Sequence, residues 1–164
     1  MVLNPAALTL APAQPADIPA LVELAVETFG EPLREIATRE FPTGLQAGTR
    51  SPLILIVAKQ NDIPIGMVGL LEDYTYSSTY CLSWLAVTPA YRNQELGTAL
   101  VQAAIQGATH LINSPTGSLI LVTATSQQAY YHRFGFSGST GLHGHPHGAE
   151  PHVLLSLPLT RNPS

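Results

Sequence analysis

Apolar residues along this chain switch between two spacings, and the switches divide it into elements. Ile18, Leu21, Val22, Ala25, Val26 and Phe29 recur at three- and four-residue intervals, which predicts one face of a helix. Asp17 stands where an N-cap belongs, Pro19 falls in the first turn, and Gly30 stops the segment. Leu33, Ile36, Ala37 and Phe41 repeat that spacing over a second stretch, Glu31 to Glu40. Leu96, Leu100, Val101, Ala104 and Ile105 mark a third helix, starting at Glu95 and fading near His110. Ser126 to Phe134, closed by Gly135, predicts a fourth and shorter one.

Between the helices lie extended runs. Leu8 to Pro12 predicts an edge strand, ended by Pro12 and Pro15. Leu53–Lys59 and Ile63–Leu71, joined by the Asn61-Asp62 turn, precede Tyr80–Val87. Ser118–Thr123, a segment beginning at Phe136, and Val153–Leu159 complete the set, with loops expected over 42–50 and 138–151. The central runs lack clean alternation, as strands covered on both faces do. The order β-α-α-β-β-β-α-β-α-β-β predicts an α/β fold with a mixed central sheet and helices on both faces, a three-layer α/β/α sandwich. No repeat or linker divides residues 1–164, so they are read as a single domain with its core over 8–159.

Composition narrows the function classes. Charged residues make up only 11% of the 164, below the roughly 25% usual for globular chains. A surface so poor in charge favours self-association, and a homo-oligomer, a dimer in the simplest case, is expected. Net charge is −4 and Lys59 is the only lysine, which argues against a nucleic-acid partner. No apolar run is long enough for a membrane span, and the N-terminus lacks a basic secretory start, so a soluble cytoplasmic protein is expected. Cys81 is the single cysteine, which rules out an intrachain disulfide.

The chemistry concentrates where an apolar run ends at Val87. Thr88-Pro89 breaks the extended pairing, a polar turn follows, and helical spacing begins at Glu95. Strand, turn and helix start in that order aim unsatisfied backbone N–H groups beyond the strand end, and Arg92 adds a full positive charge. That is a site for a phosphate or pyrophosphate. Leu85-Ala86-Val87, Pro89, Tyr91-Arg92 and Gly97-Thr98-Ala99-Leu100 resemble the signature of GNAT-type N-acetyltransferases, Arg/Gln-x-x-Gly-x-Gly/Ala. Glu95 stands where that family has its first glycine. The element order is also that of the GNAT fold, from Leu8 to Leu159.

Ala129 to Phe136 resembles the Phe-Tyr-x-x-x-Gly-Phe run near the C-terminal end of the same family. The resemblance implies acetyl-CoA as co-substrate and acetyl transfer to a primary amine of a small molecule or peptide by direct attack. It implies that Tyr131 is the general acid for the leaving thiolate, the alternative being an aromatic on the buried face of a short helix. It implies that backbone groups of Leu85, Ala86 and Val87 hold the pantetheine arm. The loop Arg92, Asn93, Gln94, Glu95, Leu96, Gly97 and Thr98 would then hold the pyrophosphate. A carboxylate at 95 either turns to solvent or weakens cofactor binding. Relatives often place a glutamate base where this chain has Cys81, so Glu72 and Asp73 at the end of the preceding strand are the candidate bases. Phe29, Glu31, Glu35, Tyr74 and Tyr76 are expected at the acceptor side.

Three readings stay open at this stage. An acetyltransferase is favoured by Arg92 and Tyr131; a GNAT-fold module without turnover, binding a ligand or partner, is favoured by Glu95 and the missing strand carboxylate. The third concerns His143, His145, His147 and His152. Three imidazoles on one side of an extended segment can bind a transition metal, whereas Gly144, Pro146 and Gly148 favour a solvated loop. A loop folded over the acceptor pocket could also present one histidine as a base. No metal is assigned.

Overall fold

The structure is a computed structural model that describes residues 1–45, 53–73, 76–142 and 150–161. Seven strands form one sheet: β1 (Leu8–Pro12), β2 (Leu53–Gln60), β3 (Ile63–Glu72), β4 (Thr79–Val87), β5 (Thr116–Ala124), β6 (Ser137–Leu142) and β7 (His152–Thr160). Their order is β1-β2-β3-β4-β5-β7-β6. Among the described residues, only the β4–β5 pair is parallel. The helices are α1 (Ile18–Phe29), α2 (Arg34–Glu40), α3 (Leu96–Leu111) and α4 (Gln128–His132). None of them is long and apolar enough to cross a membrane.

Two separate apolar clusters show why the central strands do not alternate. One packs Leu21, Leu24 and Ala25 of α1, with Phe41, onto Leu55, Val57 and Met67 of the sheet. The other packs Leu96, Leu100, Val101 and Ala104 of α3 onto Val68, Leu70, Leu82, Leu119 and Leu121. Both faces of β2 to β4 are thus covered, and apolar residues are needed at odd and even positions alike. A fully buried leucine such as Leu21 or Leu100 contributes about 1.5–3 kcal/mol.

Several expectations need correction. Asp17 does not cap α1 with its side chain. Its Oδ2 accepts from Gln14 N at 2.8 Å and its Oδ1 pairs with Lys59 Nζ at 2.8 Å, so the carboxylate ties the chain before α1 to β2. The second and fourth helices begin as 3₁₀ turns, over Glu31–Leu33 and Thr125–Gln127. The segment expected to loop from residue 138 continues as β6 to Leu142, because β7 supplies a strand to pair with. The start of the 42–50 loop is a 3₁₀ turn, Phe41–Leu45, whose Phe41 is wholly buried.

Two irregularities shape the middle of the sheet. The strands β4 and β5 pair only over Thr79–Cys81 and Ser118–Ile120, then separate. Gly69 of β3 pairs with Ser83 of β4 and Met67 with Ala86, so Val68 alone opposes Trp84 and Leu85. That is a β-bulge, which takes an extra residue out of the ladder. Trp84 sits at φ 52°, a left-handed value unfavourable for a bulky side chain. The bulge also reverses which residues face α3: Tyr80 and Leu82 before it, Leu85 and Val87 after it. Gly69 permits this close approach, since a Cβ there would lie 2.8 Å from Ser83 Oγ.

Candidate active site

The first part of the site is the turn between β4 and α3. Arg92 Nε donates to Val87 O at 3.0 Å, which folds the guanidinium back against the strand end. Asn93 and Glu95 both take left-handed backbone, φ 60° and 62°. Asparagine tolerates that region, while glutamate is strained there by about 1 kcal/mol or more. The chain therefore keeps at Glu95 the backbone shape that a glycine would adopt freely. Beyond it, α3 opens with Leu96, Gly97 and Thr98, whose N–H groups have no partner within the helix.

A cavity of about 420 Å³ lies over this helix start, bounded by Arg92, Asn93, Glu95, Gly97, Thr98, Tyr130 and Arg133 with Val87 at the strand end. Arg133, from the end of α4, stacks on Tyr130 with its Cζ 4.8 Å from the ring centre and reaches Thr98 Oγ1 at 3.4 Å. Glu95 is exposed, yet its carboxylate does not simply turn outward: it accepts from Thr98 Oγ1 at 2.7 Å. Gly97 is packed closely, and a Cβ there would meet Tyr130 Oη at 3.1 Å. Two guanidiniums and a helix N-terminus against one carboxylate leave a net positive cradle, which fits a pyrophosphate.

The other loop residues have structural work. Gln94 turns away, accepting from Leu3 N at 2.6 Å and donating to Met1 O and Ala90 O. Leu96 is buried under the sheet, so only its backbone can face the cavity. Ala86 is likewise buried, in the cluster beneath α1.

The second part is the gap where β4 and β5 part. Its lining brings together Phe29 of α1, Ser83, Trp84 and Leu85 of β4, Val122 of β5, Tyr131 of α4 and His152 of β7, around about 270 Å³. Phe29 and Phe41 pack edge-on against Trp84, at 5.7 and 5.0 Å between ring centres. Tyr131 packs edge-on against Tyr130 and Phe136. Burial, with a smaller contribution from Tyr130, pushes the Tyr131 phenol up to about 12, so it stays protonated at neutral pH. Ser83 Oγ is buried beside Gly69 of β3, with no hydrogen-bond partner among the described residues.

The remaining candidates lie elsewhere. Glu72 pairs with Tyr80, four residues or about 13 Å of strand before Trp84, at the closed end of the gap. Asp73 Oδ1 accepts from Tyr76 N at 2.8 Å and shapes the β3–β4 turn. Tyr76 is 67% exposed at that turn. Glu31 pairs with Arg34, which also holds Glu23 at 2.6 Å; Glu31, Arg34 and Glu35 border a separate hollow beside α2. Tyr74, His143, His145 and His147 lie outside the described residues. Cys81 is half-buried, and the desolvation pushes its thiol up and removes it as a base. Sequence reasoning gave no role to Arg133, Tyr130, Ser83 or Trp84. Arg133 and Tyr130 sit inside the second motif and could have been suspected there, whereas the bulge at Trp84 leaves no local signal.

Residues 51–138, more than half of the chain, match the acetyltransferase (GNAT) domain family. The chain belongs to the GNAT family. Members use acetyl-CoA as acyl donor, and this GNAT chain is accordingly an acyltransferase. No functionally curated protein matches it in sequence. Solved structures share its fold. A GNAT-family protein from Desulfovibrio desulfuricans is 22% identical with a TM-score of 0.76, over 92% of this chain and 98% of that one. The ribosomal-protein-S18-alanine N-acetyltransferase from Escherichia coli is 19% identical with a TM-score of 0.71, covering 95% and 96%. An aminoglycoside 6'-N-acetyltransferase complexed with coenzyme A is 14% identical with a TM-score of 0.74, covering 95% and 99%.

Proposed function

We propose that this GNAT chain moves the acetyl group of acetyl-CoA to a primary amine of a small molecule or peptide by direct attack, with Tyr131 as general acid. One observation carries the reading: the unpaired edge of β4 connects an anion cradle at Arg92–Thr98 to a gap containing a phenol that stays protonated. Acetyl-CoA supplies an activated acyl group as a thioester. Arg92, Arg133 and the first N–H groups of α3 hold its pyrophosphate, with the Glu95 carboxylate restrained by Thr98. The β4 edge from Leu82 to Val87, which has no β5 partner, takes the amides of the pantetheine arm as an added strand. The bulge at Trp84 offers a backbone N–H outside the ladder to polarise a carbonyl. Tyr131 gives its proton to the departing sulfur.

The lining of the gap also bears on the acceptor. Phe29, Trp84 and Val122 are apolar, and no carboxylate is among the described lining residues. Glu31, expected to attract a cationic amine, is already paired with Arg34. An amine carried by an apolar or aromatic body suits this surface better than a polyamine. Sparse charge, with exposed Ile63, Val122 and Leu142, supports self-association as well. Light scattering checks it.

Calorimetric titration with acetyl-CoA, followed by thiol release with phenethylamine, spermidine and an alanine-initial peptide, tests the reading. Micromolar binding with amine-dependent thiol release is expected. Absence of binding would remove the transferase assignment.

A further inference from the structure

A reacting amine must be neutral, and neither Glu72 nor Asp73 lines the gap, so the proton on the incoming ammonium needs another acceptor. Tyr131 and His152 are the titratable side chains among the described lining residues. They reach the gap from opposite sides of the sheet. His152 pairs with Ala124, and its neighbour Val153 lies in the α3-side core. By strand alternation the imidazole is therefore on the α1 side, with Phe29 and Trp84. Tyr131 comes from α4, packed on the α3 side.

The tautomer of the neutral ring follows from its partner. His152 Nδ1 lies 2.9 Å from Glu150 O. A carbonyl only accepts, so Nδ1 carries the hydrogen, and in the neutral ring Nε2 is the basic nitrogen. The segment bearing His152 is fixed to the start of the helix bearing Tyr131. Thr125 N and Oγ1 both donate to Pro151 O at 2.9 Å, and Ser126 N donates to Glu150 Oε1 at 2.9 Å. Residues 125–126 and 150–151 thus clamp the two titratable groups in a set relation across the gap.

We infer that His152 is the general base of this acetyltransferase, taking the proton of the acceptor ammonium through Nε2 on the α1 side of the gap. The inference rests on the transferase reading above. The ammonium gives one proton to Nε2, the freed nitrogen bonds to the thioester carbon, and the C–S bond breaks. Tyr131 protonates the departing sulfur, and the proton lost by the amine on forming the amide passes to solvent, from which the phenol is restored. The imidazolium then releases its own proton to water. Atoms and charge balance: ammonium and thioester become amide, thiol and one released proton. The titratable neighbours of the imidazole include the Glu150 carboxylate and, across the gap, the Tyr131 phenol; β5 and β6 oppose it with Ala124 and Leu142.

His152→Gln and His152→Ala, compared with wild type, decide the matter. Both should lower kcat/KM with phenethylamine about a hundredfold near neutral pH while acetyl-CoA affinity stays within about twofold. The deficit should narrow at alkaline pH as free amine accumulates, and added imidazole should restore activity to the alanine variant. Wild-type kcat/KM in either variant would overturn the role of His152 and leave the transferase standing. A loss matched by an equal loss of acetyl-CoA affinity would overturn it too, making His152 structural. No thiol release by the wild type with phenethylamine, spermidine or the alanine-initial peptide would overturn the transferase reading and this role together.

Discussion

The cradle at the start of α3 and the gap between β4 and β5 lie along one strand edge, but they are assembled in opposite ways. Most of the cradle is one continuous stretch, Arg92 to Thr98, joined by Tyr130 and Arg133. The gap draws on α1, β4, β5, α4 and β7, and its form depends on a bulge and on where two strands stop pairing. A site made of neighbours in sequence carries its geometry in local backbone preferences. A site made of distant elements carries it in packing, so changes there disturb the fold as well as the chemistry.

The largest effect expected from this contrast is at Trp84. Removing its ring against Phe29 and Phe41 by Trp84→Ala should cost about 3 kcal/mol, read in calorimetry as a fall in Tm of roughly 9 °C. A loss below about 1 kcal/mol would mean that the gap wall is held without it. Next comes Tyr131→Phe, which should lower turnover at least tenfold with little change in coenzyme A affinity. Unchanged thiol release would take Tyr131 out of the mechanism.

Tyr131 also gives the fold an alkaline weakness. Its phenol titrates near 10 in the unfolded chain and about 12 when folded. Between those values the unfolded chain binds fewer protons than the native one, so stability falls as pH rises and is unaffected below about 10. Chemical denaturation across that range should show a smaller decline in Tyr131→Phe; equal declines would place the sensitivity elsewhere.

On the cradle side, Arg133→Ala should weaken acetyl-CoA binding about tenfold with kcat nearly unchanged. A fall in kcat with intact affinity would mean that the two sites are not separable. The smallest effect belongs to Glu95→Gly. It relieves a left-handed glutamate and removes a carboxylate from the cradle, so binding should stay level or tighten, by about threefold at most. A clear weakening would show that the Glu95–Thr98 hydrogen bond shapes the anion site.

The sequence by itself determined the order of elements, the turn between β4 and α3 and the second aromatic motif. Each is written in short-range terms: helical spacing after Glu95, the break at Thr88-Pro89, the Tyr-Tyr-His-Arg-Phe-Gly-Phe run. It also singled out Phe29, which lines the gap. What it could not order was the company each side chain keeps. Asp17 looks like a cap but is drawn to Lys59 on β2, and Glu31, expected at the acceptor side, is held by Arg34 beside α2. His152 belongs to a histidine-rich stretch in sequence and to the gap in space, because β7 inserts between β5 and β6. Local preference acts over a turn or two of chain. Pairing register, the bulge at Trp84 and the divergence of β4 from β5 come from packing both faces of the sheet at once, and only the folded whole contains that condition.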